Sequence, residues 1–133
     1  MTKDDFRVAV IGGRKYISKD VLFAALNALH ARSPIAWVIQ GGGPGAAALA
    51  GAWASQTPGI RQLLFITGAG VNVPATETPM QRSVRMFKMG KPDYVVAFPG
   101  GNGTAHEVQL ATAANIPIWY PVGAPAKTTE RFL

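Results

Sequence analysis

The chain has no cysteine, and its seven acidic residues are outnumbered by thirteen lysines and arginines. It also has no long apolar run. The first absence excludes disulfides and thiolate metal sites. The last excludes a membrane-spanning helix, which needs about eighteen or more consecutive apolar residues. The opening Met-Thr-Lys-Asp-Asp places acids where a secretory signal carries a basic and then an apolar stretch. A cytoplasmic protein without membrane contact is the expectation, and no metal or cofactor is expected. The shortage of acids leaves a net charge of +6, which points to anionic ligands, nucleotides as much as nucleic acid. At 133 residues, 48% hydrophobic and only 15% charged, the chain is long enough for one domain with a real core and too short for two.

Apolar, β-branched runs alternate with helical patterns along the chain. FRVAVI at 6–11 reads as a first strand, closed by Gly12-Gly13-Arg14-Lys15. Ser18 is a candidate N-cap with Asp20 in the first turn, and Val21, Leu22, Ala25, Leu26 and Leu29 recur at helical spacing. IAWVI at 35–39 is a second strand running into Gly41-Gly42-Gly43-Pro44-Gly45, followed by an alanine-rich helix over 46–55. RQLLFI at 61–66 is a third strand. The irregular stretch 67–77 after it is expected to be a mobile lid. Thr78 and Pro79 start a helix carrying Arg82, Arg85 and Lys88, and Gly90 closes it. A fourth strand over 94–98, a helix over 103–115 and a fifth strand over 116–120 complete the pattern. Residues 1–122 are therefore expected to form a single domain and 123–133 a loose tail. Near-continuous apolar strands separated by helices predict a Rossmann-like, doubly wound α/β fold, with a mostly parallel sheet of about five strands covered by helices on both faces.

Right-handed crossovers put all the strand-to-helix turns of such a sheet on one edge, where open α/β folds bind ligands. The most informative turn is Pro99-Gly100-Gly101-Asn102-Gly103-Thr104-Ala105-His106-Glu107. Its glycines let backbone approach a ligand, and the helix start beyond offers free N–H groups to an anion, most naturally phosphate. Thr104 can cap that helix or bond a phosphate oxygen. A plain alternative is a Thr104/Glu107 capping box with no chemical role.

Elimination among the seven acids favours Glu107. Asp4 and Asp5 lie in the N-terminal arm, Asp93 precedes strand four at the opposite edge, Glu130 is in the tail, Asp20 complements a helix N-terminus and Glu77 belongs to the lid. With no second well-placed acid, a two-carboxylate glycosidase is not expected, and arginine must supply further electrostatics. Arg82 and Arg85 lie three apart on one helix and are both expected to look into the pocket. His106 diverges from Glu107 on the helix, and His30 needs no functional role. The tryptophans at 37, 53 and 119 read as core or interface residues. A dinucleotide fingerprint over Gly41, Gly43 and Ala46 lacks the acid expected about twenty residues on.

The run 99–107 resembles the PGGxGTxxE signature of the Lonely guy (LOG) phosphoribohydrolases, and Gly41-Gly42-Gly43 resembles their earlier glycine turn. The order from Ile11-Gly12-Gly13-Arg14 through Met80-Gln81-Arg82 to Ala97-Phe98-Pro99-Gly100-Gly101 is more similar still to short, YspA-like members of the SLOG superfamily, over roughly residues 6 to 122. LOG enzymes cleave the N-glycosidic bond of nucleoside 5′-monophosphates to free base and ribose 5-phosphate, generally as dimers. The resemblance implies that Glu107 is the catalytic carboxylate, that Arg82 assists it, and that Gly100, Gly101, Asn102, Gly103 and Thr104 hold phosphate. Pro99, Gly12, Gly13, Arg14, Gly42, Gly43 and Arg85 complete the expected substrate site, and a homodimer or higher homo-oligomer is expected.

Three departures accompany the likeness. LOG enzymes carry an Arg-Lys pair where this chain has Arg82-Ser83, which leaves open whether Arg82 or Arg85 acts. YspA-like proteins usually have an arginine and an aspartate where Pro44 and Ala47 stand, and many of them lack the Glu107 carboxylate. The alternative to a hydrolase is a non-catalytic protein that binds or senses a nucleotide-derived ligand. Nucleic-acid binding is a further reading, which would show as steep salt dependence.

Overall fold

The structure is a computed structural model and describes residues 5–123. The tail expected at 123–133 lies outside the described residues beyond Gly123, as do Asp4 and Glu130. Nine elements alternate: β1 (Arg7–Ile11), α1 (Lys19–Arg32), β2 (Trp37–Gln40), α2 (Ala46–Gln56), β3 (Arg61–Leu64), α3 (Pro79–Gly90), β4 (Tyr94–Ala97), α4 (Asn102–Ala113) and β5 (Ile118–Trp119). The strands form one sheet in the order β3-β2-β1-β4-β5, and every pair is parallel. The chain winds outward from β1 to β3, then crosses back to place β4 on the other side of β1. That reversal opens a crevice at the carboxyl ends of β1 and β4, where doubly wound sheets bind ligands.

Side-chain alternation along the central strands feeds two cores. Val8, Val10, Val38 and Val96 point to one face and pack with Leu22, Leu26 and Leu29 of α1 and Ala46, Ala50 and Trp53 of α2. Ala9, Ile11, Ile39, Val95 and Ala97 point to the other and meet Met86 of α3 and Ala111 of α4. Each fully buried Val, Leu or Met contributes about 1.5–3 kcal/mol. Trp53 is part of the first core, with its indole N–H donating to Asn27 Oδ1 at 2.8 Å. His30 lies edge-on to that ring, and its Nδ1 accepts the Ile35 N–H at 2.9 Å.

Several boundaries differ from the sequence reading for identifiable reasons. β5 shortens to Ile118–Trp119; Pro117 has no N–H to donate and joins the ladder only as the acceptor of the Val95 N–H at 2.9 Å. β3 stops at Leu64 on the sheet edge, although Phe65 still donates to the Gln40 carbonyl at 3.0 Å. Ser18 occupies the N-cap position of α1 without a side-chain cap. Thr78, by contrast, closes a full capping box with Gln81 at the start of α3. The capping-box alternative for Thr104 and Glu107 does not hold, because α4 begins at Asn102 with Gly101 as N-cap. Thr104 is therefore the third helical residue and Glu107 the sixth.

Candidate functional site

Backbone contacts stitch the glycine turns after β1, β2 and β4 into one floor. The Gly13 N–H donates to the Pro99 carbonyl at 2.8 Å, and the Gly13 carbonyl accepts from Ala46 at 3.1 Å. Gly45 makes the second junction possible: its φ is +80°, and a Cβ there would overlap the Gly13 carbonyl. Above this floor opens a cleft of about 1100 Å³, large enough to take a whole small-molecule ligand.

Gly12, Gly13, Arg14, Gly42 and Gly43 line the cleft on one side, and residues 99–104 line the other, with Arg82 and Glu107 between them. At the α4 end, the first helical hydrogen bond is donated by Ala105 to the Gly101 carbonyl at 3.0 Å. The amides of Asn102, Gly103 and Thr104 precede it, and the helix has no side-chain cap and no acid in its first turn. Free N–H groups with the positive end of the helix dipole suit an anion. Arg14 and Lys15 stand exposed beside this end.

The cleft centre is built from facing sides of α3 and α4. Glu107 is buried, 7% exposed, and so is Ser83. The Ser83 hydroxyl donates to Glu107 Oε2 at 2.7 Å, and Arg82 Nη1 lies 3.5 Å from the same oxygen. Desolvation dominates at Glu107 and pushes its pKa above the usual carboxylate range, while the Ser83 hydrogen bond and the Arg82 and His106 charges pull the other way. Arg82 lies against Gly41, where a Cβ would overlap the guanidinium. Its Nε is buried without a hydrogen-bond partner among the described residues, a costly state for a charged donor.

Arg85 does not share this setting. Its Nε donates to Glu77 Oε2 at 2.9 Å and its Nη2 to Glu77 Oε1 at 3.0 Å and to the Ile66 carbonyl at 3.0 Å. Its guanidinium also stacks on Phe65, 5.4 Å from the ring centroid. Glu77 accepts the Gly68 N–H at 3.0 Å as well. The Arg85 bond holds the Glu77 pKa down at about 2. The stretch read as a mobile lid is therefore pinned at both ends, and Arg85 turns to that loop rather than into the cleft. Of the expected site residues, Arg85 alone is not among those lining it.

Three further contributors carry little local signal in the sequence. Ser83, a small polar residue one step from Arg82 and three from buried Met86, falls on the inward face of α3. Nothing near Gly41 announces that an arginine from α3 will lie against it. The Glu77/Arg85 spacing spans a helix start, so helical periodicity does not pair the two. Among the described residues no group of three or more histidines, aspartates and glutamates could hold a metal ion.

No helix among the described residues is long and apolar enough to cross a membrane. No curated protein matches the chain. Residues 6–67, which run from the start of β1 through β3 to the edge of the cleft, match the model of the YspA, cpYpsA-related SLOG family. Over this stretch, a little under half of the chain, the protein is similar to that SLOG family, and the five-stranded parallel sheet is that of a Rossmann-like α/β fold.

Proposed function

We propose that the protein is a nucleotide N-glycosidase that hydrolyses a nucleoside 5′-monophosphate to free base and ribose 5-phosphate. The observation that carries this reading is one helix, α4, with two functions: an uncapped N-terminus suited to phosphate and a buried carboxylate, Glu107, in the same cleft. Glu107 lies five positions beyond Asn102, about 7.5 Å along the axis, a span of the order of a phosphorylated pentose. Phosphate on the amides of residues 102–104, with Arg14 or Lys15 beside it, brings C1′ toward Glu107.

In the reaction, water adds its oxygen to C1′ and the C1′–N bond breaks, its electron pair leaving with the base. The Glu107 carboxylate stabilises positive charge at C1′ and takes the proton from water, and that one proton then passes to the base nitrogen, directly or through solvent, which returns Glu107 to its carboxylate form. Arg82 orients the substrate or the departing base. Deprotonated Glu107 is the working form, so turnover should rise with pH through a pKa above the ordinary carboxylate range. A homodimer or higher oligomer belongs to the same proposal, by resemblance to LOG enzymes.

One observation favours a second reading, a protein that binds a nucleotide-derived ligand without turning it over. The family match ends at residue 67, before Arg82 and Glu107. Incubation of the purified protein with a panel of purine and pyrimidine 5′-monophosphates, followed by chromatographic separation of products, decides between them. Free base in equal amount to ribose 5-phosphate is the expected result. Saturable binding with no base released from any nucleotide would overturn the hydrolase reading in favour of the second.

A further inference from the structure

The Glu107 carboxylate has two inequivalent oxygens. Oε2 is engaged by the Ser83 hydroxyl at 2.7 Å and faces Arg82 Nη1 at 3.5 Å. Oε1 has no hydrogen-bond partner among the described residues, yet it is not one of the sealed, unpaired atoms there, so it keeps access to the cleft. Ser83 is 4% exposed and Glu107 7%, and their hydrogen bond joins α3 to α4 across that cleft. The Arg82 contact is too long for a strong charge-assisted hydrogen bond, which falls at about 2.7–2.9 Å.

We infer that Ser83 is a positioning residue for Glu107: its hydroxyl fixes Oε2 against α3 and so presents Oε1 to whatever occupies the cleft. A buried carboxylate with a free torsion at its end would otherwise turn either oxygen outward. A hydroxyl suits this task because it donates one hydrogen bond without carrying a charge. It neither neutralises the carboxylate nor competes for the anionic part of a ligand. The charged and titratable groups facing Glu107 are Arg82 from α3 and His106 from α4, and Ser83 acts beside both. Burial pushes Glu107 toward its protonated form and the Ser83 bond opposes this, so the same hydroxyl that aims the carboxylate also helps keep it ionised.

The inference deepens the proposed hydrolase site, and its test has a readout that does not depend on turnover. The Glu107 side chain is followed by carbon-13 NMR titration of the full chain, with Glu107→Gln identifying its signal. Ser83→Ala removes the donor. Ser83→Cys, near-isosteric and a weak donor, repeats the test with the packing kept, and Ser83→Thr retains the hydroxyl. Loss of a hydrogen bond to a charged group should raise the Glu107 pKa by about one to two units in the Ala and Cys variants, with Thr within about half a unit of wild type. In the hydrolase assay the same two variants should lose about tenfold to a hundredfold in kcat with KM little changed, and the acid limb of the pH profile should move upward with the titration. An unmoved Glu107 titration in both Ala and Cys variants, or an equal rise in the Thr variant, overturns the assignment. Absence of base release by the wild type counts against the hydrolase reading alone, because the titration still decides the role of Ser83.

Discussion

Helix α3 supplies the arginine of two arginine–glutamate pairs with opposite characters. Arg85 and Glu77 satisfy each other: two hydrogen bonds at 2.9 and 3.0 Å, further bonds to backbone, and a carboxyl pKa held down at about 2. Arg82 and Glu107, one turn away, do not. Their closest approach is 3.5 Å, the arginine keeps a buried Nε without a partner, and the carboxyl pKa is pushed up by burial. A pair that is complete holds structure together; a pair that is incomplete retains capacity for a ligand, at a cost in stability.

Breaking the incomplete pair should have the largest effect. Glu107→Gln should lower base release by about a thousandfold or more, within the range of a lost general base. The same variant should melt higher than wild type at neutral pH, because it removes a buried charge. The sign follows from the raised pKa. Folded Glu107 binds its proton more tightly than the unfolded chain does, so wild-type stability declines as pH rises through the folded value. The melting gap between variant and wild type should therefore be widest at neutral pH and close as pH falls below the ordinary carboxylate range. A gap that grows on acidification would contradict the burial account.

Removal of the cationic partner comes next. Arg82→Ala should reduce turnover about a hundredfold, whereas Arg85→Ala should leave it within about threefold and instead speed proteolysis and amide exchange in residues 67–77. Equal losses in the two variants would erase the distinction between the pairs. A smaller effect is expected from Gly41→Ala, whose methyl group displaces the Arg82 guanidinium. About a tenfold loss of activity with an unchanged melting temperature would place the defect in the arginine's position rather than in the fold. The smallest effect lies in the complete pair. Glu77 has a lowered pKa, so its contribution is present above pH 4.5 and is lost as pH falls toward 2. Amide protection at Gly68 should fall over that interval and stay level above it.

The fold was legible in the sequence because it depends on local signals. Apolar runs such as FRVAVI, glycine turns after them and the Thr78-Pro79 start each specify an element within a few residues. The limits of β5 and β3 were less so, since a ladder ends where a neighbouring strand ceases to pair, and Pro117 enters it only as an acceptor. Within the site, Glu107 emerged by elimination because acids are few. The division of labour between Arg82 and Arg85 did not: both share a helix, and only the loop that brings Glu77 back to α3 assigns Arg85 to structure. Ser83 and Gly41 were hidden for the same reason, each taking its meaning from a residue distant in sequence.

The central claim, that Glu107 performs chemistry and does not merely line a binding cleft, is tested most directly by measuring affinity and turnover together. Wild type and Glu107→Gln are titrated calorimetrically with the nucleoside 5′-monophosphate that the panel identifies, and base release is followed in the same samples. The account predicts that the variant binds within a few-fold of wild type and releases essentially no base. A variant that binds and turns over as wild type does would contradict it.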